Sequence, residues 1–140
     1  MNLRDKLSVR FHIEDIREVL HFIQDDERLR EEIYQLMFDE DDTVSYQALW
    51  TCTHFSKEDV EWLSQRQNEL IDAALTCQHS GKRRMFLNLL SQQQPANPPR
   101  MDFLDFCMER VISRREPGGV QSLCIKLAHQ LTCSIPELQQ

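Results

Sequence analysis

A chain of 140 residues, 41% hydrophobic and 28% charged, has the size and make-up of one soluble globular domain able to bury a core. Three glycines, one alone and two adjacent, exclude a many-turned β fold and a Gly-rich phosphate loop. A net charge of −7 disfavours non-specific attachment to nucleic acid or an anionic membrane. The opening residues are polar and charged, unlike a signal peptide, and no apolar run approaches the ~20 residues of a membrane span.

The charge is uneven. Residues 1–43 carry 13 acids and 6 bases, 44–79 carry 5 and 2, and 80–115 carry 3 acids and 7 bases. Five cysteines (Cys52, Cys77, Cys107, Cys124, Cys133) contain no CxxC and sit mostly where an apolar residue would serve. That pattern predicts reduced thiols in a core and a cytoplasmic protein.

Taken in order, Leu3 to Val9 predicts a short opening helix. Ile13, Ile16, Val19, Leu20 and Ile23 then repeat at helical spacing. Asp25-Asp26 punctuates, and Leu29, Ile33, Leu36 and Met37 continue the helical pattern to Phe38. Asp41-Asp42-Thr43 opens the next helix, because these side chains accept orphan N–H groups and suit the positive end of the dipole. Its inward stripe is Val44, Gln47, Ala48, Thr51, Cys52 and Phe55, while Tyr46, Trp50 and His54 lie opposite. Ser56 with Asp59 looks like a capping box, and Lys57 to Cys77 reads as one continuous helix. A break at His79-Ser80-Gly81 leads into Met85, Phe86, Leu89 and Leu90. Three prolines among polar residues from Gln92 to Pro99 make a surface connector. Met101 to Arg115 is helical, Pro117-Gly118-Gly119 stops it, and Val120 to Leu131 is the last full helix.

The helices share a register. Val44 and Val120 are 76 residues apart, and Lys82 stands midway. The inward rows become Gln47/Met85/Leu123, Ala48/Phe86/Cys124, Thr51/Leu89/Leu127, Cys52/Leu90/Ala128 and Phe55/Gln93/Leu131. Each of these helices follows another amphipathic one, so the pattern is a helix-pair repeat of 38 residues. With Asp42, Val44, Ala48 and Cys52 in place, the chain resembles a HEAT or armadillo-type repeat over residues 14–132. In that family each unit is two antiparallel helices, and the second opens with Asp before Val and small residues. The resemblance implies an all-α fold: an α-α superhelix, or right-handed solenoid, of about three antiparallel helix pairs. Within a single domain over 1–140 the units would span 14–55, 57–93 and 101–132. Lys82 and Gln93 stand where the pattern wants apolar residues, and the Pro-rich loop lengthens one connection. An irregular bundle, with the same stripes closing on each other, is the alternative.

Chemistry is sparse. No HExxH, Walker-type loop or recognisable nucleophile setting occurs, so the reading assigns no catalytic residue, no cofactor and no metal. His12, His21, His54, His79 and His129 lie on different elements without ligand spacing. The run Asp39-Glu40-Asp41-Asp42 lacks the alternation of an EF-hand loop and reads as a helix-capping cluster. Lys82-Arg83-Arg84 opens a helix, where positive charge opposes the dipole. Arg114-Arg115 ends one, where it is favourable.

Two positions in each second helix point away from the inward stripe: Tyr46 and Trp50, Arg84 and Asn88, Ser122 and Lys126. If the second helices line one surface, as the resemblance implies, these six form a ladder whose aromatic and Arg members are typical binding anchors. Equally, Tyr46 and Trp50 can simply cover a neighbouring helix. The reading is a non-enzymatic scaffold for a protein or peptide partner, with no membrane contact. A nucleic-acid-binding or repair protein, using the basic segment 82–115, is the alternative. Some HEAT-like proteins, including alkylpurine DNA glycosylases, hold a duplex in a basic concave surface, yet here the amino-terminal half is acidic. An all-α lyase would need a flexible Ser- and Gly-rich loop that is not visible. Finally, Ser134, Pro136 and Glu137 form a helix-start signature. It predicts either a further helix in a longer protein or self-association through Leu131 and Leu138 at this end.

Overall fold

The computed structural model describes residues 1–96, 98–113, 118–133 and 135. Among them the regular structure is α-helical, with no strand. Contacts gather the chain into two compact units, Met1–Lys57 and Glu58–Gln140.

The first unit holds α1 (Leu3–Leu7), α2 (Ile13–Ile23), α3 (Glu27–Leu36) and α4 (Asp42–Cys52). Short polar side chains start three of them. Asn2 accepts from Asp5 N, Asp26 from Arg28 N and Leu29 N, and Asp41 from Thr43 N and Val44 N. The Asp25-Asp26 pair divides its work: Asp25 turns the chain at φ 59°, in the left-handed region that Asp tolerates better than most residues, and Asp26 caps. Asp39 accepts a forked pair from Arg4 at 3.0 and 3.2 Å and also takes Asp41 N–H. The acidic run is therefore spent on capping and pairing, and the Arg4 hydrogen bond holds the Asp39 carboxyl below the usual carboxylate range. Lys6 does the same for Asp15, at 2.9 Å, and reaches Glu18 at 3.0 Å.

Helix α4 is the packing centre, contacting α1, α2 and α3. Its inward stripe of Val44, Gln47, Ala48, Thr51 and Cys52 is buried, and so are Ser45 and Leu49. The buried arc is thus wider than the periodic stripe, leaving a half-exposed strip through Tyr46 and Trp50. A glutamine on the inward face has a physical reason: Gln47 Nε2 donates to Leu7 O at 2.8 Å and Val9 O at 3.0 Å. It supplies donors to carbonyls where α1 ends, which a five-residue helix cannot satisfy internally.

The second unit takes up α5 (Lys57–Ser64), which opens at the boundary, then α6 (Gln67–Thr76), α7 (Ser80–Ser91), α8 (Met101–Ser113) and α9 (Gly118–Cys133). Here the continuous helix expected over Lys57–Cys77 is corrected. It breaks at Gln65-Arg66, where Gln65 N and Arg66 N bond only three residues back, to Trp62 O and Leu63 O. Between Leu63 and Leu70 no apolar residue offers the helix a reason to continue. Arg66 instead places its guanidinium 4.6 Å from the centre of the Trp62 ring. The break before α7 is also shorter than expected, since Ser80 and Gly81 are already helical and His79 Nδ1 caps Lys82 N at 3.2 Å.

In this unit α6 packs on α7 and α8 on α9, while α6 touches α8 and α7 touches α9. First helices thus lie beside first, and second beside second, which is stacking of helix pairs. Phe86, Leu89, Leu90 and Gln93 of the α7 register are buried, as are Val120, Cys124, Leu127, Ala128 and Leu131 of α9. Cys107 and Cys124 face each other in the α8–α9 seam, and that contact together with burial pushes the Cys107 thiol up. A thiol so placed stays protonated and packs as a small apolar residue. None of the five cysteines is in a disulfide, and Cys133 is exposed and Cys77 half-buried.

The Pro-rich connector is anchored rather than loose. Buried Gln67 donates to Gln94 O at 2.9 Å and accepts from Ala96 N at 3.0 Å. Arg100 then fixes the start of α8 through Asp72 at 2.8 Å and Asp102 at 2.6 Å, holding the Asp102 carboxyl below its usual range. The expectations for Arg114-Arg115, for Pro117, and for Ser134, Pro136, Glu137 and Leu138 lie outside the described residues.

Candidate functional site

The six residues of the expected ladder occupy two units and differ in how committed they are. In the first unit Tyr46 and Trp50 are both half-buried. Trp50 meets Phe11 edge to face, with centroids 6.0 Å apart and planes at 67°, a favourable aromatic geometry. Trp50 therefore covers Phe11 while keeping part of its surface in solvent.

In the second unit Arg84, Ser122 and Lys126 are exposed and Asn88 is half-buried. Asn88 Oδ1 accepts from Gln92 Nε2 at 2.9 Å, which orients its amide. Arg84 reaches across to α9: a Cβ on Gly119 would lie 3.1 Å from Arg84 Nε. The absent side chain leaves room for the guanidinium beside the first turn of α9. Ser122 and Lys126 follow Gly119 at helical spacing on the same helix, so α7 and α9 present Arg84, Ser122 and Lys126 on adjoining exposed rows. Such a surface offers cations and hydrogen-bonding groups.

Three other cations of the basic segment are already engaged. Arg83 Nη2 donates to Cys77 O at 2.6 Å, Arg100 is held by two aspartates, and Arg110 lies 5.0 Å from the Phe106 ring centre and 3.4 Å from Glu109.

Two arrangements escape a reading by periodicity alone. His129 and Cys133 stand one turn apart on α9, with Cys133 Sγ 3.6 Å from His129 Nε2. Their i, i+4 spacing was available as a signal, but no group of three or more His, Cys, Asp or Glu able to hold a metal occurs among the described residues. The second is a cleft in the second unit lined by Gln67, Ile71, Leu90, Gln93, Phe103, Leu127 and their neighbours, with about 310 Å³ of empty space including its mouth. Gln93 lines it, and its standing in an apolar row was the signal that something polar is required there.

The fold defines an all-α helical-repeat protein. A family model for the HEAT repeat domain matches residues 3–140, and the chain belongs to the HEAT repeat family. Neither the curated proteins nor the solved structures give a match to it. HEAT repeats are scaffolds that often mediate protein interactions, and no helix among the described residues is long and apolar enough to cross a membrane.

Proposed function

We propose that the protein is a non-enzymatic scaffold that binds a protein or peptide partner through the outward rows of its second helices. Arg84, Asn88, Ser122 and Lys126 would serve in the second unit, and Tyr46 and Trp50 in the first. The observation that carries this reading is the contrast across α7 and α9. Most of their inward residues are buried, Met85 and Leu123 being half-buried, while Arg84, Ser122 and Lys126 stand exposed with the Arg84 side chain laid against Gly119. Half-buried aromatics and an arginine are the side chains that most often anchor a partner. The helix-pair units 14–55, 57–93 and 101–132 are the repeats this reading assigns.

The alternative of nucleic-acid binding draws little support. Phosphate recognition needs an open stripe of Lys and Arg, whereas Arg83 and Arg100 are spent on Cys77 O and on Asp72 and Asp102.

The test is affinity capture with the intact chain, comparing wild type with a variant carrying Tyr46→Ala, Arg84→Ala and Lys126→Ala. Loss of partners that wild type retains supports the proposal. Recovery of the same partners in the same amounts refutes it.

A further inference from the structure

The cleft of the second unit contains a buried donor with no use among the described residues. Gln93 is only 5% exposed. Its Oε1 accepts from Gln67 Nε2 at 3.0 Å, yet its own Nε2 has no hydrogen-bond partner among the described residues. Turning the amide over does not help. Gln67 is pinned by donating to Gln94 O and accepting from Ala96 N, so a flipped Gln93 would set one NH₂ against another. A buried donor in this condition costs free energy until an acceptor reaches it.

The surroundings narrow what that acceptor is. Ile71, Leu90, Phe103 and Leu127 make the walls apolar, and the enclosed part has room only for something the size of a water molecule or a methyl group. Arg100 also lines the cleft, but its charge is already met by Asp72 and Asp102, so the site has no particular pull for a free carboxylate. What fits is a neutral carbonyl with a small apolar group next to it, entering from solvent. A peptide backbone bearing an alanine-sized side chain supplies both within one residue.

We infer that this cleft docks a backbone carbonyl and the adjoining small apolar side chain of a peptide partner, with Gln93 Nε2 as the hydrogen-bond donor. The choice of a peptide as occupant rests on the scaffold reading; the donor and the cleft do not.

The experiment is a titration of the ¹⁵N-labelled full chain with the blocked tripeptide Ac-Ala-Ala-Ala-NH₂, followed on the Gln93 side-chain NH₂ signals and the Leu127 methyls. The inference expects a saturable downfield movement of the Gln93 amide protons. Gln93→Leu should weaken the response at Leu127 roughly tenfold, the scale of one lost hydrogen bond. Gln93→Glu, an acceptor of the same shape, should weaken it similarly and serves if Gln93→Leu does not fold. A Gln93 amide unmoved at the peptide's solubility limit overturns the inference, because the cleft then holds water alone. So does movement with isobutyrate but not with the tripeptide, which would make it a small-acid site. Loss of this binding while capture through Arg84 and Lys126 persists removes the cleft assignment and leaves the scaffold reading standing.

Discussion

Each unit buries a glutamine in the inward register of a second helix, Gln47 within α4 and Gln93 just past the end of α7, and the two meet opposite fates. In the first, Gln47 gives its amide hydrogens to Leu7 O and Val9 O. In the second, Gln93 accepts from Gln67 and leaves its donor unused among the described residues. One glutamine completes the fold; the other exceeds what the fold requires. A polar residue in an apolar row thus signals either an internal partner or a reserved one, and only the neighbours tell which.

The largest expected effect tests whether the stacked seam of the second unit is as tight as its burial implies. Phe103, 2% exposed, should lose about 3–5 kcal/mol on Phe103→Ala by chemical denaturation, as for other buried aromatics. Ile112, 75% exposed, should change stability by no more than about 0.5 kcal/mol on Ile112→Ala. Equal losses would mean that α8 does not sit as described.

The glutamines give the sharpest contrast. Gln47→Leu leaves two carbonyls without their donor and should destabilise by about 1–3 kcal/mol. Gln93→Leu takes away the acceptor of one Gln67 N–H but also removes a buried donor that has no partner among the described residues, and Gln67 keeps its bond to Gln94 O, so the two effects offset and the change should cost less than Gln47→Leu, about 1 kcal/mol or below. Similar costs for both would erase the distinction between the units.

Acid should probe the ion pairs of both units. Asp15 and Asp39 in the first, and Asp102 in the second, are held below the usual carboxylate range by Lys6, Arg4 and Arg100 respectively. A lowered folded pKa contributes stability that is present above the ordinary Asp value and lost as pH falls through the depressed one. Stability should therefore be flat near neutrality and decline below about pH 4. Arg4→Ala should shrink that decline, and salt should weaken it because each pair keeps a solvent-accessible partner. For Lys6, raised by the same contacts, the sign reverses, and its contribution is lost as pH rises beyond the normal lysine range. An unchanged acid profile in Arg4→Ala would deny the Asp39 pair any role.

The smallest effect concerns the glycine pair. Nothing lies within 4 Å of a Cβ on Gly118, whereas one on Gly119 meets Arg84. Gly118→Ala should add about 0.5 kcal/mol by restricting the unfolded chain, measured as a raised thermal midpoint. Gly119→Ala should gain less, because the Arg84 side chain must move aside.

The sequence made much of the architecture legible. Helical periodicity marks α2, α4, α8 and α9, and Ala48, Phe86 and Cys124, which share one register position, are each buried in their own unit because burial is what periodicity records. The break at Gln65-Arg66 left only a weak trace, the run without an apolar residue between Leu63 and Leu70, which marks a gap in the stripe but not where a helix tightens its last turn. The outward residues Arg84, Ser122 and Lys126 could be picked out by the same arithmetic, but the reach of Arg84 to Gly119 depends on the packing of α7 against α9. The Gln67–Gln93 pair lies 26 residues apart, and no local signal joins them.

The most direct measurement of the central claim is photo-crosslinking from benzoyl-phenylalanine placed at Ser122 or, separately, at Ile112, both exposed on the second unit. The scaffold account predicts that the intact chain crosslinks a partner from position 122 and not from 112. Crosslinks from 112 with none from 122 would put the working surface on the first helices and contradict it.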